Sequence, residues 1–373
     1  MKRRKIMALG VTAAMVMTAF SAFSVSAEES TETEDAAQEK EGSFVLEYPE
    51  DMQELGFTEP LVLDEVPERV VCLSAAPVLA LYELGVNLVG VPNSSVVTWP
   101  EDLQENTETV SFSVMSSDDF DYESVVGLEP DLVLLAYNGA ETAGKTLESV
   151  GIPVYYIYAG HMVPYESIVM QTNALIDAFA VDEESKAAGE EIRQRFTQLE
   201  ENVEAAKEAF AGKSVMILQS GGGAHYIQTA EATLGSMADM IGLENVYENE
   251  SSSMVQLDYE QALDYDPDLV LCVGATGAQE HKEMMEADFA ENEAYWYGIP
   301  AIAEGNIIYL PATYVSTAGI NVVDAINNLI GIVADFYDIG VSGVDASAIT
   351  ETWEVGESTT AEEDGEAETA VQE

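Results

Sequence analysis

Two similar Rossmann-like α/β lobes, joined by a long α-helix with a ligand cleft between them, form the fold class this sequence predicts. Three observations predict it. Short apolar runs alternate with helical stretches, one helix–strand unit occurs twice, and a long uninterrupted helical segment lies between the copies. The first strand is Arg69-Val70-Val71-Cys72-Leu73, and a helix from Pro77 to Leu84 follows it, ended by Gly85. Asn87 to Val91, Asp131 to Leu135 and Pro153 to Ile157 are further apolar runs of strand length, with a helix to Val150 between the last two. Runs this short and this apolar are buried on both faces, which is the signature of parallel sheets.

The repeat aligns Tyr122-Glu123-Ser124-Val125-Val126-Gly127-Leu128-Glu129-Pro130-Asp131-Leu132-Val133-Leu134-Leu135 without a gap against Tyr259 to Cys272. In both copies a helix ends before Pro-Asp and a strand follows. Arg69-Val70-Val71 has a weaker counterpart in Lys213 to Ile217, and Gly151-Ile152-Pro153 recurs as Gly298-Ile299-Pro300. Between the copies, Glu183 to Phe210 has no proline, a single glycine and abundant Glu, Ala, Lys and Gln, a strong helix composition. Ile192, Phe196, Leu199 and Val203 recur at helical spacing and predict the buried face.

The resulting organisation is a signal peptide over 1–27, an acidic disordered linker over 28–42 and an N-terminal lobe over 43–164. A helical segment with the interlobe helix covers 165–211, a C-terminal lobe 212–341 and a disordered acidic tail 342–373. The signal reading rests on basic Lys2-Arg3-Arg4-Lys5, the apolar stretch from Ile6 to Phe23 and the small-residue site Val25-Ser26-Ala27. It predicts an exported chain, periplasmic or extracellular. No lipid-anchor cysteine stands at the cleavage site, and no later apolar run reads as long enough to span a bilayer. The two tails are too polar to offset their ordering entropy.

The chain carries 13 Lys+Arg against 69 Asp+Glu, a formal net charge of -56. Such a surface repels phosphate backbones, so nucleic acid is excluded as a partner. Cys72 and Cys272 each sit in a strand-like run of a different lobe and predict two buried free thiols. Gly139-Ala140-Glu141-Thr142-Ala143-Gly144-Lys145-Thr146 fits a phosphate-binding loop by spelling. Its residues compose as the start of a short helix, however, and no strand ends in an aspartate suited to magnesium, so nucleotide binding is rejected. No hydrolase constellation appears, which predicts a chain that is not an enzyme. Only His161, His225 and His281 are present, too few for a naked transition-metal receptor.

In open α/β sheets ligands sit beyond the carboxyl ends of the strands. That rule selects Ser74, Asn93, Ser95, Tyr137, Asn138 and His161 in the N-terminal lobe, and His225, Tyr226, Thr276 and Tyr314 in the C-terminal lobe. Trp99 is added as a stacking surface. The set is hydroxylic and aromatic with almost no Lys or Arg, which suits a weakly charged, partly apolar ligand.

At these residues the chain resembles the class III solute-binding proteins of ABC importers, the family handling iron-siderophores, haem and cobalamin. The resemblance runs from about Arg69 to Tyr337. It is carried by Arg69 to Ser74, Leu84 to Val91, Gly242-Leu243-Glu244-Asn245-Val246, the two Pro-Asp-Leu-Val-Leu segments and Gly305-Asn306-Ile307-Ile308-Tyr309. Val91-Pro92-Asn93-Ser94-Ser95, Trp99-Pro100 and Val114-Met115-Ser116-Ser117-Asp118 are similar to the haem-binding, iron-regulated surface-uptake branch. The resemblance implies no catalytic cofactor, a transported haem or iron chelate, and a monomer that docks on an importer permease and its ATPase. It implies Met115 as an axial ligand; from the C-terminal lobe His225, His281 or Tyr314 is expected to complete the contacts, with His225 and His281 as the candidate metal ligands. The branch's own histidine aligns near Thr276, which departs from the pattern. The docking glutamate of the first N-lobe helix falls at Leu79, with Glu83 one turn later, and Asp239 is the nearest acid in the C-terminal lobe. An extracellular sensor or adhesin of the same fold, and an extracellular enzyme, remain as alternatives.

Overall fold

A computed structural model describes residues 43–94, 97–110, 121–159, 163–221, 223–247, 252–315, 319–349 and 351–358. The predicted signal peptide and linker lie outside them. The chain opens with an antiparallel ribbon, β1 (Phe44–Leu46) and β2 (Leu61–Leu63), around α1 (Glu50–Glu54). The N-terminal lobe continues with β3 (Val70–Cys72), α2 (Val78–Glu83), β4 (Leu88–Pro92), α3 (Glu101–Asn106), β5 (Glu108–Val110) and α4 (Tyr122–Gly127). It is completed by β6 (Leu132–Ala136), α5 (Lys145–Ser149) and β7 (Val154–Ile157). The five strands from β3 to β7 are parallel in the order β5-β4-β3-β6-β7, so the order reverses between β3 and β6.

Two helices cross to the second lobe: α6 (Tyr165–Phe179) and the 27-residue α7 (Glu183–Ala209). Asp182 caps α7 through the Ser185 amide, and Ser185 returns a bond to the Asp182 backbone. Ile192, Phe196, Leu199 and Val203 are all buried, as their spacing predicts. Gly189 lets α7 approach α6, since a Cβ there would lie 2.5 Å from Ile176 Cγ2.

The C-terminal lobe runs β8 (Ser214–Gly221), β9 (Ala224–Gln228), α8 (Thr233–Met240), β10 (Glu244–Asn245), β11 (Met254–Gln256), α9 (Tyr259–Ala262) and β12 (Leu269–Gly274). Then come α10 (Ala278–Glu291), α11 (Glu293–Trp296), α12 (Pro300–Ala303), β13 (Ile307–Leu310), α13 (Val322–Phe336) and β14 (Glu354–Val355). Its sheet has the order β11-β9-β8-β12-β13-β14, with β10 beside the start of β8. Strands β8, β10, β12 and β13 are parallel; β9, β11 and β14 are antiparallel additions.

Side chains alternate across this sheet as pleating requires. Val215, Ile217, Leu269, Leu271 and Val273 face a core continuous with that of the N-terminal lobe through α7 and α13. Met216, Leu218, Val270, Cys272 and Tyr309 face a second core under α10 to α12. Both cysteines are free and buried.

The repeat has a structural cause. In each lobe the aspartate after proline clamps the start of the first strand. Asp131 accepts from the amides of Glu68 (2.7 Å) and Arg69 (2.9 Å), and its own amide donates to the Arg69 carbonyl. Asp268 accepts from the Ser214 amide (2.7 Å) and hydroxyl (2.9 Å), and its amide donates to the Ser214 carbonyl.

Three expectations are corrected. Gly151-Ile152-Pro153 leads into β7, whereas Gly298-Ile299-Pro300 opens α12 with proline at its first position, so this third match is not a structural repeat. The acidic stretch after 342 is built into the C-terminal lobe as far as 358, because β14 pairs with β13 through backbone groups that composition does not register. Gly319–Phe336 is apolar and long enough to cross a bilayer, yet 67% of it is buried within the protein, which makes it a core helix.

Candidate functional site

Parallel strands place their carboxyl ends along one edge of each sheet. In the N-terminal lobe that edge carries Ser74 after β3, Asn93 after β4, Tyr137 and Asn138 after β6, and Tyr158 after β7. In the C-terminal lobe it carries the β8–β9 hairpin, Thr276 after β12 and Thr313 after β13. The two edges touch at the reversal point of the first sheet. Gly319 has φ +66 and sits on the Ala76 carbonyl, where a Cβ would come within 1.9 Å of the oxygen. The crevice between the edges is therefore the candidate site.

On the N-terminal side, Ser74 and Tyr137 are half-buried, and Asn93 and Asn138 are exposed. Tyr137 and Tyr158 lie with ring centroids 5.6 Å apart and form an aromatic step at the edge. Trp99 is not a stacking surface for a ligand. It is buried, and its indole N–H donates to the Pro92 carbonyl at 3.0 Å, which fixes the turn after β4. Ser95, Met115 and His161 lie outside the described residues.

On the C-terminal side, His225 and Tyr226 are half-buried in the hairpin. Both His225 ring nitrogens are engaged: Nδ1 meets Ser220 Oγ at 2.8 Å and Nε2 meets Asp288 Oδ2 at 3.2 Å. The same Asp288 oxygen accepts from the Trp296 indole at 2.9 Å, and Ser220 also reaches Met285 Sδ at 3.0 Å. Such a histidine is a fixed polar strut and offers no free lone pair to a metal. His281 is the reverse case. It is fully buried on α10 against Gly274, and neither ring nitrogen has a hydrogen-bond partner among the described residues. Burial, with His225 nearby, pushes it down to about 4, so it is neutral at physiological pH. Thr276 Oγ1, in the turn before α10, is buried and also has no partner among the described residues. Tyr314 is fully buried and donates to the Ala325 carbonyl at 3.1 Å, so its phenol is structural.

Of the two expected docking acids, Glu83 is ion-paired with Arg195 of α7, whereas Asp239 is exposed on α8. Asp239 borders a cavity of about 590 Å³ between the lobes, lined by Tyr158 and Tyr165 on one side, Met237 and Met240 on the other, with Lys207 and Val322 behind. Its volume is within the range of small-molecule pockets. Among the described residues no group of three or more His, Cys, Asp or Glu is placed to hold a metal ion.

The phosphate-loop spelling is explained by packing. Residues 137–144 form tight helical turns, and a Cβ on Gly144 would lie 2.3 Å from the Tyr156 hydroxyl. Lys145 is ion-paired with Glu141 at the surface.

Comparison with known proteins decides the family. The model described as "Periplasmic binding protein" matches residues 70–314, from β3 to the loop after β13. The chain belongs to the periplasmic binding protein family. Among curated proteins, a cobalamin-binding protein of Halobacterium salinarum is 27% identical over 213 residues, covering 57% of this chain and 55% of that protein. The chain thus matches about half the length of its curated relatives. Among solved structures, S. aureus IsdE complexed with heme superposes with TM-score 0.53 at 19% identity, covering 72% of this chain and 98% of that one. The periplasmic vitamin B12 binding protein BtuF of Vibrio cholerae does so with TM-score 0.54 at 18% identity, covering 73% and 98%. These likenesses establish the two-lobed fold.

For this periplasmic binding protein, sequence reasoning offers Ser220 as a cleft residue and Trp296 as a stacking surface, whereas the structure buries Trp296 and uses both around His225; it missed Asp288 and Met285. The link from Asp288 to His225 joins α10 to a hairpin and has no local signal.

Proposed function

We propose that this protein is the exported solute receptor of an ABC importer, capturing a haem or other iron complex between its lobes and handing it to the permease and ATPase. The observation that carries the reading is the family match across both lobes, from β3 to the loop after β13. The half-buried, hydroxylic and aromatic groups at the strand ends fit a partly apolar, weakly charged ligand, and no catalytic role is proposed for them. Ser74, Asn93, Ser95, Tyr137, Asn138, His161, Tyr226 and Thr276 are the proposed contacts, Met115 the proposed axial ligand and Asp239 the proposed docking acid. A monomer is proposed.

A second ligand reading, a corrinoid, is favoured by the histidine geometry. His225 has both nitrogens bound within the protein and His281 is enclosed. A corrinoid brings its own axial ligands and requires no open histidine, and one curated relative is a cobalamin-binding protein.

The test is a thermal-shift series with haemin, a ferric hydroxamate and cobinamide, together with visible absorbance of the protein purified from iron-rich culture. A bound ligand at a hundredfold excess over its Kd stabilises by about 2.7 kcal/mol. Haemin stabilisation with a Soret change that moves in Met115→Ala supports the haem reading. Stabilisation by cobinamide alone selects the corrinoid, and no shift with any of the three overturns the importer reading.

A further inference from the structure

Residues 341–349 and 351–358 pack on the C-terminal lobe at successive points. Val341 is buried, Gly343 (φ +84) sits against the Asn202 side chain of α7, and Ile349 covers Gly331 of α13. The chain then adds β14 to the edge of β13, and the Gly356 amide donates to the Ile307 carbonyl at 2.9 Å. Lys282 of α10 holds its end, with Nζ 3.6 Å from Glu357 and 3.8 Å from Glu286. The Lys282 side chain is only 13% exposed, although the whole chain has just 13 basic residues. Lys282 Nζ thus stands between the Glu286 carboxylate and the largely exposed Glu357 carboxylate at the end of the strap.

Between these anchors Glu351 reaches the loop after β13. The Thr313 hydroxyl donates to Glu351 Oε1 at 3.2 Å, and Oε2 is buried with no hydrogen-bond partner among the described residues. The carboxylate also stands beside the Tyr314 phenol. Burial, with that charge adding to it, holds the phenol protonated. Thr313 and Tyr314 belong to the carboxyl edge of the C-terminal sheet, directly after β13. The strap therefore grips both α10 and the loop after β13, which flank the crevice. It lies beyond residue 314, where the family match ends.

We propose that this C-terminal strap is a positioning element of the ligand crevice, and that Glu351 is the residue through which it fixes the loop after β13. The inference rests on the reading of the crevice as the ligand site. Glu351 touches the loop and not the ligand, so it is a positioning residue.

The experiment compares the parent protein with Glu351→Ala, Glu351→Gln and Thr313→Val. Amide hydrogen exchange is read at Tyr314 and Val315, whose amides close the short turn on Pro311 and Ala312. Affinity is read by tryptophan quenching with haemin, ferrichrome and cyanocobalamin. Glu351→Ala is expected to speed exchange at those two amides by about tenfold or more while β8 and β12 keep their protection. It is expected to weaken the probe that binds by about threefold or more. Glu351→Gln keeps a carbonyl oxygen for Thr313 and is expected to recover most of both effects. Thr313→Val removes the same bond from the loop side and replaces Glu351→Ala should that variant fail to fold. Unchanged exchange overturns the proposal, as does faster exchange with unchanged affinity. If no probe binds the parent, the importer reading has failed, and the exchange comparison alone decides whether the strap holds the loop.

Discussion

Asp131 and Asp268 have the same task in the two lobes, and the Pro-Asp repeat is legible in the sequence because that task constrains it. Each carboxylate satisfies a backbone amide at the lip of a sheet, where no neighbouring strand does so. The hydrogen bond donated by the Ser214 backbone N–H holds the Asp268 carboxyl below the usual range. Its stabilisation is therefore present above the ordinary aspartate pKa and is lost as pH falls through the lowered folded value. Asp268→Ala is expected to cost about 1–2 kcal/mol, read by urea unfolding at pH 7, with the cost shrinking at acid pH. His281 acts in the opposite sense. Its folded pKa of about 4 lies under the ordinary 6.5, so the unfolded chain takes up a proton that the folded chain refuses. Stability should fall as pH drops from 6.5 towards 4, and His281→Phe should flatten that part of a Tm-against-pH curve. An equally steep curve in the variant would show that His281 is not the group responsible. The two thiols, pushed up by burial, should be inert to thiol reagents in the native state and both react after denaturation.

Elements were legible where the local pattern and the tertiary environment agree. β3, β6, β7, β8 and β12 are buried on both faces, so their apolar runs announced them, and α7 followed from composition and spacing. The Gly139 to Thr146 segment was read as helical from the same evidence, and its glycine proves to serve a tight contact with Tyr156. Gly144→Ala is accordingly expected to destabilise by about 1–3 kcal/mol, while Lys145→Ala should leave Tm within about 1–2 °C, since an exposed pair contributes little. Nucleotide-dependent stabilisation of the parent protein, lost in Lys145→Ala, would contradict this. The site was less legible for a physical reason. Whether Trp99, His225 or Tyr314 faces a ligand depends on Pro92, Asp288 and Ala325, two backbone carbonyls and one distant carboxylate that no residue pattern in the sequence marks as their partners. The strap was missed for a related reason, because β14 is held by backbone pairing and by Lys282 rather than by an apolar run.

At the scale of the whole molecule, both lobes hold the same helix. α2 and α6 of the first lobe and α13 of the second all pack on α7, and the Asn202 amide bonds Asn327 across the α7–α13 contact at 2.8 Å. The second link is the Gly319–Ala76 contact. Gly319→Ala adds a side chain at φ +66 and 1.9 Å from a carbonyl oxygen, so the lobes must separate there to admit it. Lower Tm and a larger radius of gyration in solution scattering are expected; an unchanged profile would mean that the contact opens freely. The helix itself behaves as an axle shared by two wheels. With 27 residues at a rise of about 1.5 Å, α7 is roughly 40 Å long, and a tilt of a few degrees about one end carries the other through only a few ångströms. On the proposed receptor role, loaded and empty forms would then differ by a small torsion about the axle, and the proposed membrane partner would sense twist between two surfaces, not the shutting of a jaw.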